Sequence, residues 1–231
     1  AYEKRVLDHI EKYFPAQAKL FGRERLHPLA VRAIDQADVY AMVSEQSACV
    51  YADGLLMLGV DFDVDPQLPF AGAILRDEGL AERERAARLY DAVLDYWGKV
   101  AGRDGSDYLA ALRNFRKVPV AWTRRPEDGD DGEILGRLLG ALYPSKHRFL
   151  GDGGVREFVR FSAGKALEIG IGTQAGAAVV AALMFLGGSG VLDDPRFDWL
   201  LPLLDRKAMQ KEDGLGRLHA QESKKFEEWA R

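Results

Sequence analysis

The sequence predicts an all-α fold in which two similar halves pack about a pseudo-twofold axis. Apolar residues recur at helical spacing along most of the chain, and strand-like alternation is confined to one short stretch, Val118–Trp122. The chain also matches itself when it is shifted by about 128 residues, which indicates an internal repeat. Its 231 residues, 47% of them hydrophobic and 29% charged, are enough to bury a sizeable core.

The repeat is carried by helix breakers and polar residues that occur in the same order in both halves. Single-residue gaps are enough to keep this order over roughly 70 residues. We therefore expect a single compact domain over 1–231, built from a first half (1–117), a linker (118–132) and a second half (133–231). The matched positions are Phe14-Pro15 with Tyr143-Pro144, Gln46 with Gln174, and Asp65-Pro66 with Asp194-Pro195.

Each half is expected to contain helices in the same order. Pro15 and Pro144 end the first helix, because proline disfavours helical geometry in the residue before it. Asp65 and Asp194 are expected to cap a later helix that begins at the following proline. The predicted helices span 3–14, 29–59, 66–76 and 80–100 in the first half, and 133–143, 155–188, 195–205 and 215–230 in the second.

The segment Ile169–Leu192 carries no charged residue and is long enough to cross a bilayer. Thr173 and Gln174 lie within it, however, and glycines interrupt its end. We therefore expect a buried central helix and no transmembrane span, while peripheral contact with a membrane stays open.

Charge and cysteine content narrow the class of protein. The formal net charge of −4 and the sequence pI near 5.7 oppose a nucleic-acid-binding surface. The single cysteine excludes internal disulfides. The charged opening residues lack the apolar stretch of a signal peptide, while a signal removed from the native N-terminus stays open. A cytoplasmic location is favoured. The richness in Ala, Leu, Gly and Arg is typical of a bacterial gene of high GC content.

The sequence contains no complete catalytic or metal-binding motif. The nucleophile elbow, the phosphate-binding loop, the dinucleotide fingerprint and the HExxH pattern are all missing. The segment Asp61–Asp65 has the alternating aspartates of a calcium-binding loop, but the sixth and twelfth places of that loop hold Pro66 and Gly72. We therefore expect no catalytic residue, no metal and no cofactor.

Cys49 lies on one stripe of its predicted helix with Glu45 and Asp53, at intervals of four residues. Flanking carboxylates disfavour a thiolate, and no histidine lies near Cys49 in the sequence. A small core residue is therefore expected. The alternative is a ligand site that includes Glu45 and Cys49, with an acyl group or another adduct attached to the thiol.

Gln46 and Gln174 lie in the two most apolar predicted helices. A buried amide needs hydrogen-bond partners, because leaving it without them costs about 1–3 kcal/mol. We therefore expect each side chain to bind the other's helix across the pseudo-twofold axis. Recognition of a ligand is the alternative role for both amides.

Together these features favour a non-catalytic interaction protein of the adaptor, accessory or immunity type, whose partner is another protein. The first alternative is a carrier of an apolar ligand held between the halves by Gln46, Cys49 and Gln174. The second alternative is an enzyme that uses Asp61, Asp63, Glu45 or Cys49.

Overall fold

The computed structural model describes residues 2–115, 117 and 130–200. Within them the chain forms nine α-helices, three short 3₁₀ helices and no β-strand, which confirms the predicted all-α class. The strand candidate at 118–122 and the predicted helix at 215–230 lie outside the described residues. The α-helices are α1 (Tyr2–Tyr13), α2 (Pro15–Val39), α3 (Glu45–Leu58), α4 (Pro69–Leu75), α5 (Glu82–Val100), α6 (Ser106–Phe115), α7 (Asp131–Leu142), α8 (Pro144–Glu168) and α9 (Gln174–Gly187). The 3₁₀ helices are Arg103–Gly105, Val191–Asp193 and Pro195–Phe197.

The chain divides into two compact units whose limits differ from those of the predicted halves. The first unit contains residues 1–95 and 190–198, and the second contains 96–189 and 199–231. The short segment 190–198 thus belongs with α1 to α4. The predicted halves and their twofold relation stay a prediction.

Three pairs of helices share their length and local geometry. α1 and α7 have 12 residues each, α2 and α8 have 25, and α3 and α9 have 14. In each pair the second helix begins 129 positions after the first: the starts are residues 2 and 131, 15 and 144, and 45 and 174. Both 25-residue helices bend at a glycine, Gly22 (φ 73°, ψ 161°) and Gly151 (φ 64°, ψ 172°). Residues other than glycine adopt this conformation only with strain.

The long helices predicted at 29–59 and 155–188 are each broken in two. Ser44 and Thr173 have extended backbone geometry, and their side chains accept hydrogen bonds from the amide three residues later. Each of them therefore caps a new helix. The prediction was wrong here because the apolar periodicity continues through both breaks.

The first residues of α3 and α9 are 129 positions apart, one more than the offset that pairs Gln46 with Gln174 in the sequence. Glu45 is the first residue of α3, and Gln174 is the first residue of α9. Gln46, which the sequence comparison pairs with Gln174, lies one position further into its helix.

Asp65 and Asp194 cap turns, as predicted, but neither is followed directly by an α-helix. Their Oδ1 atoms accept hydrogen bonds from the backbone amides of Gln67 (2.8 Å) and Arg196 (2.9 Å). α4 begins at residue 69, three residues after the predicted start at 66. Asp194 is followed by a 3₁₀ helix, and residues 201–205 lie outside the described part of the chain.

α7 begins inside the predicted linker (118–132). Asp130 accepts a hydrogen bond from the amide of Glu133 (3.0 Å), so the helix starts at residue 131 and not at 133. Residues 118–129 of the predicted linker lie outside the described residues.

In the first unit, α1 and α3 pack against each other and against α2. The buried Arg196 holds the segment 190–198 to the C-terminal end of α3. Its guanidinium donates to the carbonyls of Leu55 (3.0 Å) and Leu56 (2.9 Å) and to the carboxylate of Asp194 (2.6 Å). These acceptors satisfy the buried charge. The surrounding core includes Val6, Leu7, Ile10, Leu26, Leu29, Ala33 and Phe62.

In the second unit, α6 packs against both α7 and α9. The ring centroid of Tyr108 in α6 lies 6.1 Å from that of Tyr143, and the amide of Asn114 donates to the carbonyl of Leu142 (3.4 Å). α9 is the buried central helix that the sequence predicts, since residues 178–186 are all buried. Among the described residues, no helix is long and apolar enough to span a membrane.

Candidate functional site

Helices α1, α3 and α5 of the first unit frame an open groove of about 1000 Å³. This volume lies at the upper end of the range for ligand-binding clefts. On α3 and α5 the lining residues recur at helical spacing, so each helix presents one face to the groove. The lining comprises His9, Tyr13 and Phe14, then Glu45, Gln46, Cys49, Val50, Asp53 and Met57 of α3, and Arg83, Ala86, Ala87, Tyr90, Asp91 and Leu94 of α5.

The N-terminal ends of α3 and α5 are joined at one end of the groove. The backbone amide of Ser44 donates to Glu82 Oε1 (2.7 Å). Hydrogen bonds from Ser44 lower the pKa of Glu82 below its usual value, because they stabilise the carboxylate. This contact fixes the spacing of the two helices where the groove begins.

His9, Cys49 and Asp53 lie together in the groove. His9 Nε2 is 2.8 Å from Asp53 Oδ1, and the two side chains are only 22% and 11% exposed. The hydrogen bond to Asp53, and next the hydrogen bond to Cys49, raise the pKa of His9 to about 10, while burial opposes the shift. The imidazole is therefore protonated at neutral pH and can donate from both ring nitrogens.

Both carboxylates beside Cys49 have a cation from α1. Glu45 Oε2 lies 2.6 Å from Arg5 Nε in a pair that is about half exposed, and Asp53 is bound by His9. The two carboxylates that the sequence places beside Cys49 are thus each paired with a side chain of α1. Cys49 itself is buried, with 9% of its surface exposed at the groove.

The structure brings three of the four predicted ligand-site residues together. Glu45, Gln46 and Cys49 all line the groove. Gln174 does not, because it belongs to the second unit, where its amide donates to the carboxylate of Asp131. The predicted burial of the two amides is wrong, since both Gln46 and Gln174 are exposed.

Sequence reasoning missed His9, which lies 40 positions before Cys49. The contact between α1 and α3 brings the two residues together. One signal was available: Arg5 and His9 are one turn apart on α1, and their spacing complements the acidic stripe of Glu45 and Asp53 on α3.

Asp61 and Asp63, named above for an alternative enzyme, do not line the groove. Asp61 Oδ1 binds Arg32 Nη2 at 2.5 Å, and Asp63 Oδ2 accepts a hydrogen bond from the Tyr40 hydroxyl at 2.6 Å. Burial and this carboxylate raise the pKa of Tyr40 to about 12. In the described part of the chain, no group of three or more His, Cys, Asp or Glu side chains is placed to hold a metal ion.

The groove thus combines apolar walls with a thiol, an imidazole, a carboxylate and an amide. The apolar walls can bind another molecule, and the polar set has the residue types that nucleophilic chemistry uses. Comparison with protein-family models, with curated proteins and with solved structures finds no match.

Proposed function

We propose that this chain is an interaction protein, of the adaptor, accessory or immunity type, whose groove binds one α-helix of a protein partner. The observation that carries the proposal is the apolar rim of the groove. Tyr13, Tyr90 and Leu94 line it and expose 60%, 43% and 44% of their surface. Aromatic and aliphatic side chains clustered at a cleft are typical of surfaces that a second molecule covers.

The length of the groove fits about three turns of a helix. On α3 the lining runs from Glu45 to Met57, and on α5 it runs from Arg83 to Leu94. These runs cover 12 and 11 helical steps (57 − 45 and 94 − 83), or about 18 and 17 Å at 1.5 Å per residue. The small side chains of Ala86-Ala87 leave room for a partner helix to approach closely.

We further infer that helices α1 to α3 and α7 to α9 arose by internal duplication. Their equal lengths, their shared bend at Gly22 and Gly151, and the constant offset of 129 residues support this inference. Under the duplication, α7 and α9 are the counterparts of the helices α1 and α3 that frame the groove.

Helix α6 indicates the kind of molecule that the groove accepts. It packs against α7 and α9, the counterparts of two groove helices. Its Tyr108 contacts Tyr143, whose counterpart Phe14 lines the groove. A helix of this chain therefore covers, in the second unit, a surface whose counterpart is open in the first unit. We commit on this ground to a helical segment of another protein as the occupant, in the helix-in-groove mode of recognition.

A peptide with the sequence of α6 (Ser106–Phe115) is a defined probe for this proposal. Ten isolated residues rarely hold a helix in water, so the peptide carries a side-chain link between positions 106 and 110, both exposed in α6. Fluorescence anisotropy of the labelled peptide is measured against the full chain. We expect saturable binding that Leu94→Asp weakens by about tenfold or more, because a carboxylate then replaces an apolar contact.

Val64→Asp is the matched control. Val64 is 59% exposed in the same unit but does not line the groove, so this variant is expected to bind like the wild type. A peptide with the same composition in scrambled order tests whether the apolar face is needed. No saturable binding, or equal binding to the Leu94→Asp chain, would argue against a helix as the occupant.

A further inference from the structure

We infer that Cys49 is a nucleophile that accepts an acyl group from a thioester, with His9, Asp53 and Gln46 as its supporting residues. The inference goes beyond the docking of a partner helix and does not depend on it. It rests on four side chains that meet in one groove, three of them on one face of α3.

His9 relates to Cys49 and Asp53 as an imidazolium to the thiolate that it stabilises and to the carboxylate that positions it. Cys49 and Asp53 are one helical turn apart on α3; Asp53 binds the imidazole of His9 from α1, and Cys49 lines the same groove and contributes to the raised pKa of His9. The 2.8 Å contact with Asp53 Oδ1 fixes the ring at Nε2. A nucleophile paired with an imidazole that a third group orients is the arrangement that activates thiols.

Gln46 completes the site with a hydrogen-bond donor. It lies three residues before Cys49 on the same face of α3 and lines the groove. Its side-chain amide carries two N–H donors. An amide one turn from the nucleophile is placed to donate to the oxygen of a carbonyl that Cys49 attacks, where negative charge develops.

The walls of the groove identify the acyl group as apolar. Val50 and Met57 of α3 and Ala87 and Leu94 of α5 line it on either side of Cys49. A hydrocarbon chain that leaves water for these walls gains about 0.8 kcal/mol for each buried methylene group. The groove is open to solvent, which leaves room for the polar leaving group of the thioester.

The side chains of the groove account for every bond and proton that changes in the proposed acyl transfer. In the reactive form Cys49 is a thiolate and His9 is an imidazolium, so one proton is shared by the pair. The sulfur attacks the thioester carbonyl, and a new C–S bond to Cys49 forms as the bond to the leaving sulfur breaks. The leaving thiolate takes the proton from His9. The net change is a thiol and a thioester exchanging the acyl group, with no oxidant or reductant.

The charged groups around His9 at the groove come from three helices. Asp53 and Glu45 come from α3, Arg83 and Asp91 from α5, and Arg5, one turn before His9, pairs with Glu45. Asp53 has the largest effect on the pKa of His9, ahead of Cys49, and it keeps the imidazole protonated at neutral pH. The proton that the leaving thiolate needs is therefore present before the reaction begins.

The test uses octanoyl-coenzyme A and the purified full chain at neutral pH. Intact mass spectrometry is expected to show one octanoyl group added per chain, and peptide mapping is expected to place it on Cys49. Cys49→Ala should remain unmodified. His9→Gln is expected to slow the addition by about 100-fold, the usual loss when a general acid–base group is removed.

Two further variants keep the test valid if His9→Gln disturbs the fold. Gln46→Ala changes an exposed side chain and is expected to slow acylation by about 100-fold through loss of the oxyanion donor. His27→Gln is the matched histidine control, because His27 is about half exposed, pairs with Glu3 and does not line the groove. It should acylate at the wild-type rate.

The inference is overturned if Cys49 reacts no faster than free N-acetylcysteine, or if Gln46→Ala and His27→Gln are acylated at the same rate.

Asp53 is a positioning residue, and its role is measured from the pH profile of the acylation rate. The alkaline limb of the wild-type acylation rate is expected near pH 10, the pKa of His9, and Asp53→Asn should move it to lower pH. Binding of the α6 peptide to the Cys49→Ala chain is measured separately, so either proposal can fail without the other.

Discussion

The imidazole of His9 and the carboxylate of Asp53, 44 positions apart in the sequence, meet at 2.8 Å beside Cys49. This contact joins α1 to α3 and places a protonated imidazole at a groove whose walls are mainly apolar. It therefore contributes to stability and, in the proposed acyl transfer, to the chemistry at Cys49, and both contributions depend on the proton that His9 carries.

His9→Gln is expected to destabilise the chain more at about pH 6 than at about pH 10. Folding raises the pKa of His9 from 6.5 to about 10, so the folded state holds the proton more tightly than the unfolded state. The resulting stabilisation is fully present below pH 6.5 and is lost as the pH rises through about 10. Because the pair is partly exposed, solvent screening limits the effect to about 1 kcal/mol.

Urea unfolding of the wild type and of His9→Gln at both pH values measures this difference. His27→Gln provides the control for an exposed histidine, and its effect should be small at either pH. A free-energy difference between wild type and His9→Gln that does not change with pH would contradict the assignment of the raised pKa to the Asp53 contact.

Gly22→Ala and Gly151→Ala are each expected to lower the free energy of unfolding by about 1–3 kcal/mol. Both glycines have positive φ at the bend of a 25-residue helix, and a Cβ built on either one meets no atom within 4 Å. The cost is therefore one of backbone conformation and not of crowding.

Gly153→Ala is the matched control, because Gly153 lies in α8 with ordinary helical φ and open space around its Cβ. Alanine at this place is expected to stabilise the helix by up to about 1 kcal/mol. Chemical denaturation of the three variants compares the bends directly. Unequal losses in the free energy of unfolding at Gly22 and Gly151 would weaken the inference that the two bends arose from one ancestral bend by duplication.

Local sequence signals predicted the helical class and several helix ends. Pro15 and Pro144 follow the first helix of each triplet, and Asp65 and Asp194 cap the turns that their Asp-Pro pairs predict. These features act within a few residues, so the sequence displays them. The breaks capped by Ser44 and Thr173 were hidden, because the apolar periodicity of buried helices continues across them.

The sequence predicts only the part of the candidate site that lies on a single helix. Glu45, Gln46 and Cys49 share a face of α3, and helical spacing alone places them together. His9 reaches that face through the packing of α1 on α3, for which the spacing of Arg5 and His9 against the acidic stripe of α3 is the one sequence signal. Gln174 was assigned to the site by the repeat, but it lies in the other unit.

Labelling Cys49 with a bulky reagent is expected to block binding of the α6 peptide, whereas a small label should not. Cys49 is the only cysteine of the chain and lines the groove, so a thiol reagent modifies this one position. Methyl methanethiosulfonate adds a methylthio group that the open groove can accommodate. Fluorescein maleimide adds a group large enough to obstruct the groove, and peptide affinity should fall about tenfold or more, as for loss of a central contact.

Fluorescence anisotropy with a peptide that carries a spectrally distinct label measures the affinity of both labelled chains. The Cys49→Ala chain treated with the same reagents controls for non-specific effects. Unchanged affinity after complete labelling with fluorescein maleimide would place the partner helix elsewhere on the surface.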